Sequence, residues 1–188
     1  MKDGFIKVGA ASPELRVADC DYNGKLILEC IREAAKEGVK LLVFPELCLS
    51  GYTCGDLFLQ DTLLDGCRCT LETLLKATRD MDILYVVGMP LAYKNKLYNV
   101  AVFCKGGNIL MVVPKINIPN YQEFYELRHF ERGFKNTETL KELAGSENIP
   151  FGADNLLVCE NIPGLVIAGE ICEDLWVSDS PSISHALA

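Results

Sequence analysis

Histidine is scarce in this chain, with only His129 and His185 among 188 residues. None of the nine cysteines forms a C-x-x-C pair, so a zinc site is poorly supported. Cations are short as well: 18 Lys and Arg face 26 Asp and Glu, a net charge of −8. Neutralising a phosphate backbone needs the opposite balance, so no nucleic-acid partner is expected. No apolar run approaches the ~20 residues that cross a bilayer, so no membrane partner is expected either. Met1-Lys2-Asp3-Gly4 does not open the apolar h-region of a signal peptide. There is no G-x-x-x-x-G-K-[ST] and no G-x-G-x-x-G after a strand, which excludes the familiar nucleotide loops. With no repeat, low-complexity tract or linker, residues 1–188 read as one domain without a cofactor of its own.

Hydrophobic residues at 49% and charged residues at 23% give the balance of a soluble globular chain with a real core. The cysteines (20, 30, 48, 54, 67, 69, 104, 159 and 172) are odd in number, and several sit in apolar segments. They read as reduced thiols of a cytoplasmic protein, mostly small core residues.

Phe5–Ala10 reads as a first strand. A helix follows, capped within Asp21-Tyr22-Asn23 and ended by Gly38, and then a buried strand over Leu41–Phe44. Leu47–Phe58 is a loop too apolar to lie freely on a surface, so it should pack as a pocket wall. Asp61–Arg79 carries Leu63, Leu64, Cys67, Leu71, Leu74 and Leu75 on one helical face. Ile83–Met89 is a strand. Leu97–Cys104 and Ile109–Val113 form a hairpin across Lys105-Gly106-Gly107-Asn108. Asn155–Val158 and Leu165–Ala168 read as a second hairpin, with Leu165–Ala168 a buried strand. A helix starts around Pro181.

Three strand ends carry chemistry. Pro45-Glu46 follows the second strand, and the proline marks the strand's exit. Pro114-Lys115 repeats that pattern. Cys172 follows the strand at Leu165–Ala168. Each has a plainer reading: a solvated carboxylate, an exposed cation, a buried structural cysteine. Glu170, Glu173 and Asp174 lie within two residues of the sulfur, and like charges disfavour a thiolate. A nucleophilic Cys172 would therefore need a base and a cation close by, which Glu46 and Lys115 could supply. Asn117–Gly133 is irregular, aromatic and charged, as segments lining sites often are.

Leu-Leu-Val-Phe-Pro-Glu46, Val-Val-Pro-Lys115 and Gly-Glu-Ile-Cys172-Glu-Asp-Leu-Trp resemble, in order, the three signature segments of the nitrilase (carbon–nitrogen hydrolase) superfamily. Leu-Ser-Gly-Tyr52-Thr-Cys-Gly-Asp56-Leu-Phe and the segment around Cys172 further resemble the glutaminase domains of glutamine-dependent NAD(+) synthetases. The resemblance implies an α/β fold of the α-β-β-α sandwich type, with two mixed sheets back to back and helices outside. The two hairpins argue against a doubly wound parallel sheet.

The resemblance also implies a catalytic triad of Cys172, Glu46 and Lys115. Cys172 attacks the side-chain amide of glutamine, Glu46 is general base and then acid, and Lys115 with a backbone N–H holds the oxyanion. Glu126 takes a positioning role, Tyr121 contacts glutamine, and Tyr52 and Phe124 line its pocket. The partners implied are glutamine, a homo-oligomer, and a synthetase domain of the same polypeptide that would use ATP and Mg. No such domain lies in these residues, and the family's glutaminase domain continues past Ala188. A C-terminally incomplete domain is thus expected, with exposed apolar surface, self-association and a weakened site. A stand-alone amidase or nitrilase, or a catalytically silent fragment, are the alternatives.

Overall fold

Two long helices cover one face of a seven-stranded mixed sheet, and a small ribbon lies on the other. The computed structural model describes residues 4–188, so the Met1–Asp3 part of the N-terminal reading lies outside the described residues. The elements are β1 (Val8–Ala10), α1 (Cys20–Lys36), β2 (Leu41–Val43), α2 (Asp61–Ala77), β3 (Leu84–Tyr93), β4 (Lys96–Lys105), β5 (Asn108–Pro114), β6 (Glu138–Leu143), β7 (Ser146–Phe151), β8 (Leu157–Val158), β9 (Val166–Ile167) and α3 (Pro181–Leu187). Sheet order is β1-β2-β3-β4-β5-β7-β6. β1, β2 and β3 are parallel, β3, β4 and β5 antiparallel, β5 and β7 parallel, and β6 and β7 antiparallel. The expected mixed α/β architecture is therefore present, and the second sheet is the two-stranded β8–β9 ribbon.

The continuous apolar runs of β3 to β5 follow from cover on both faces. Tyr85, Val87, Val100, Val102 and Val112 join Ile27 and Ile31 of α1 and Leu71 and Leu74 of α2 in the main core. Their neighbours Leu84, Val86, Phe103, Met111 and Val113 face the ribbon side, against Leu157 and Ile167. Each fully buried Leu or Ile of this kind contributes roughly 1.5–3 kcal/mol.

Helix α1 begins earlier than expected. Its cap is Asp19, whose carboxylate accepts from the Tyr22 N–H. Asn23 is buried and instead ties the loop at Arg16 and the Leu49 carbonyl to the helix. The β4–β5 turn uses Gly106 and Gly107 at φ +59° and +78°, as the glycine pair implied.

Strand β3 outruns its expected end at Met89. Val86 and Gly88 direct their carbonyls toward the β2 side, where Phe44 and Leu49 donate to them. By the same alternation the missing N–H of Pro90 falls past the end of β2, where no ladder bond is lost. A tight turn at Lys94-Asn95, both at positive φ, then leads into β4.

The expected buried strand at Leu165–Ala168 is a correction. β9 is two residues long and Val166 is exposed. It pairs only with β8, so one backbone edge and one face stay uncovered among the described residues. The β6–β7 hairpin is an addition, turned at Ala144-Gly145. No helix among the described residues is long and apolar enough to cross a membrane.

Candidate active site

β2 ends at Val43, and Phe44-Pro45-Glu46 leaves the sheet with its backbone held by β3 through Phe44 N–H on the Val86 carbonyl. Leu47 follows at φ +53°. This left-handed corner turns the chain so that Leu47, Cys48 and Leu49 drop into the core while Glu46 stays at its rim. Gly88 makes the corner possible. A β-carbon there would stand 2.3 Å from the Leu47 nitrogen and 3.0 Å from the Glu46 carbonyl carbon. The rest of the apolar loop packs inward, with Cys54 and Phe58 buried, and Tyr52, Thr53, Gly55 and Phe58 wall a small cleft of about 80 Å³ beside Glu126, separate from the cavity of Cys172.

Lys115 is not the exposed cation of the plainer reading. Its side chain is fully buried, with Nζ 2.6 Å from Glu46 Oε1 and 2.8 and 3.0 Å from the two oxygens of Glu126. Burial pulls its pKa down, but Glu46 and Glu126 more than offset this and hold it above the usual lysine value. Glu126 is itself buried, on a 3₁₀ turn spanning Glu126–Arg128, and accepts from Tyr52 Oη at 2.7 Å. Tyr52 packs edge-on against Phe124 at 6.5 Å, and Phe124 against Tyr121 at 5.8 Å. Burial and the bond to Glu126 raise the Tyr52 phenol, so it remains a neutral donor.

Cys172 is exposed and opens a 3₁₀ turn, Cys172–Leu175, at φ +48°. Left-handed backbone at a non-glycine residue costs roughly 1–3 kcal/mol and tends to mark functional sites. Cys172, Glu46, Gly88, Phe103 and Glu170 line one cavity of about 530 Å³. The thiol's pKa lies above its usual value of 9.0. Partial burial and the Glu46 carboxylate push it up, and the Lys115 charge pulls it down.

The acids flanking the sulfur are each hydrogen-bonded to neutral donors, and the carboxylates that weigh most on the thiol are Glu46 and Glu126. Asp174 is buried and accepts from the Ile171, Ile116 and Asn117 amides and from Asn117 Nδ2. It therefore couples the turn carrying Cys172 to the strand end carrying Lys115. Glu170 accepts from Ser180, and Glu173 from Tyr121 Oη at 2.8 Å.

Of the seven residues singled out from the sequence, Glu46 and Cys172 line this cavity, and the others connect to them through hydrogen bonds and ring contacts. Glu46, Lys115, Glu126 and Tyr52 form one hydrogen-bonded cluster, with Cys172 on the same cavity as Glu46. Phe124 and Tyr121 flank the cluster, Tyr121 with its hydroxyl committed to Glu173. Two participants are not among those seven: Asp174 reads locally as a repelling charge, and Asn99 lies inside a strand. The available signal for Asn99 was a lone amide within the apolar run Leu97–Cys104.

The arrangement can activate a thiol beside a carboxylate and hold a developing oxyanion near a buried, charged lysine. Known proteins resemble the chain over most of its length. The chain is 39% identical over 185 residues to the glutamine-dependent NAD(+) synthetase of Mycobacterium tuberculosis, covering 98% of this chain and 27% of that protein. The human enzyme of the same name is 32% identical over 192 residues. The chain thus spans about a quarter of the length of the curated relatives it matches. Among solved structures, a glutamine-dependent NAD(+) synthetase from Cytophaga hutchinsonii superposes with a TM-score of 0.76 at 29% identity, over 89% of this chain and 28% of that one. An amidase from Nesterenkonia sp. shares the fold, with a TM-score of 0.58 at 23% identity over 72% of this chain and 51% of that one. Residues 7–186 match the family described as Carbon-nitrogen hydrolase, and the chain belongs to that family.

Proposed function

We propose that this chain is a glutamine amidohydrolase domain that supplies ammonia within a longer, NAD+-forming protein. The observation that carries the reading is the buried Lys115 ammonium bonded to both Glu46 and Glu126, beside a strained and exposed Cys172. In the proposed sequence Glu46 takes the Cys172 proton as sulfur adds to the amide carbonyl of glutamine. The oxyanion is met by Lys115 and the Glu173 backbone N–H. Collapse of that adduct expels ammonia, which leaves with the proton held by Glu46. A thioester remains on Cys172, and a water activated by the same carboxylate releases glutamate. Tyr121, Tyr52 and Phe124 form the aromatic side of the substrate pocket, and Glu126 fixes Lys115.

The mycobacterial and human relatives support glutamine as the amide, since both are named as glutamine-dependent and match nearly the whole chain. Use of the ammonia, with ATP and Mg, is proposed for a synthetase domain outside these residues. The direct test is ammonia release from glutamine. Cys172→Ala should lower it by at least about 10³-fold. Turnover of an aliphatic nitrile in preference to glutamine would overturn the reading.

A further inference from the structure

The structure assigns Asn99, a residue outside the proposed triad, to positioning the general base: we infer that its amide holds the Glu46 carboxylate toward Cys172. This rests on the amidase reading above. Asn99 lies in β4, is 1% exposed, and lines the cavity that holds Cys172. Its Nδ2 donates to Glu46 Oε1 at 2.5 Å and reaches Glu126 Oε2 at 3.5 Å. Its carbonyl accepts the backbone N–H of Lys115 at 2.9 Å. One residue therefore touches both carboxylates and fixes the root of the lysine between them.

The charges explain why an amide stands here. Two carboxylates, Glu46 and Glu126, share one ammonium, Lys115. The groups facing position 99 thus sum to a negative charge, with Cys172 on the same cavity and Tyr52 on the far side of Glu126. A neutral donor stabilises that cluster without changing its charge, whereas a third carboxylate would repel it. Lys115 and Asn99 both bond to the Glu46 Oε1 atom. That double anchor leaves the other oxygen of Glu46 for the proton of the thiol. The opposite end of the amide supports this reading. Asn99 Oδ1 is buried and has no partner among the described residues. A buried acceptor left unmet is costly, and a side chain that tolerates it is held by what its donor end does.

The test compares Asn99→Leu and Asn99→Asp with the parent chain. Ammonia release from glutamine and covalent capture of a chloroketone analogue of glutamine at Cys172 are followed, with thermal unfolding as the control for folding. Both variants are expected to lose about 100-fold or more in kcat while KM stays within about threefold, the pattern of an interaction needed at the transition state. Asn99→Asp should regain activity as pH falls, because a protonated Asp again donates to Glu46, and Asn99→Leu should not. Relief of repulsion alone would raise the unfolding temperature of Asn99→Asp along with its activity, so the positioning role is read from Asn99→Leu, which should lose kcat while unfolding like the parent. If the parent chain reacts and Asn99→Leu matches it within threefold, or the two variants share one pH profile, the inference is overturned alone. If the parent neither releases ammonia nor captures the analogue at Cys172, the amidase reading falls and takes the inference with it.

Discussion

At the scale of single residues, Lys115 is the group on which most depends. Removing one partner of a buried ion cluster leaves the others uncompensated, typically at about 3–5 kcal/mol. Lys115→Met should therefore lower the urea-unfolding free energy by that order. Because the folded pKa of Lys115 lies above 10.5, its stabilisation is fully present below 10.5 and is lost as pH rises through the folded value. The parent chain should thus weaken in strong alkali, and the variant should lack that step. Cys172 gives a second expectation. Its alkylation rate should reach half-maximum above pH 9.0, since burial and Glu46 disfavour the thiolate. Glu46→Gln should move that midpoint down, and an unchanged or higher midpoint would separate the two groups. A proline followed by one charge marks Glu46 and Lys115 at strand ends, and Cys172 stands three residues past the glycine that ends an apolar run, but only the resemblance of these segments to the nitrilase superfamily joins them into one site. No role for Asn99 or Asp174 follows from these segments. A lone amide in an apolar run flags Asn99 as a position, but the roles of both residues come from which backbone and carboxylate groups the fold brings to them.

Among the elements, the corner at Glu46 depends on β3 as much as on its own loop. Gly88→Ala would drive a methyl into the backbone of Glu46 and Leu47, which cannot yield as a flexible side chain would. A destabilisation of about 1–3 kcal/mol, together with slower analogue capture at Cys172, is expected; a variant that unfolds and reacts like the parent would contradict this. The helices, β3 to β5 and the β4–β5 turn followed from periodicity and glycine placement. The β6–β7 hairpin escaped notice because Glu138, Lys141, Glu142 and Glu147 dilute its pattern and Pro150 sits inside it. Its apolar positions Leu140, Leu143, Ile149 and Phe151 emerge only once paired against the core. β9 is shorter than its apolar run suggests for the opposite reason: four apolar residues show hydrophobicity but not which faces will be covered.

For the whole molecule, the two sides of the sheet differ. The helix side is closed over a large core, while the ribbon side holds a small cluster and a second open cleft of about 720 Å³. Phe5, Val158, Trp176 and Leu187 are each at least 70% exposed. Apolar exposure of this kind favours association. Sedimentation of the purified chain should show mass rising with concentration, and a sharp monomer across the range would contradict that expectation.

Mass spectrometry after exposure to the chloroketone analogue of glutamine tests directly whether Glu46, Lys115 and Cys172 form a working amidase site. Nine cysteines compete for the reagent, so selectivity is the readout. A single adduct on Cys172, lost in Glu46→Ala, is the expected result. Labelling spread across many cysteines, or absent from Cys172, would contradict the amidase reading.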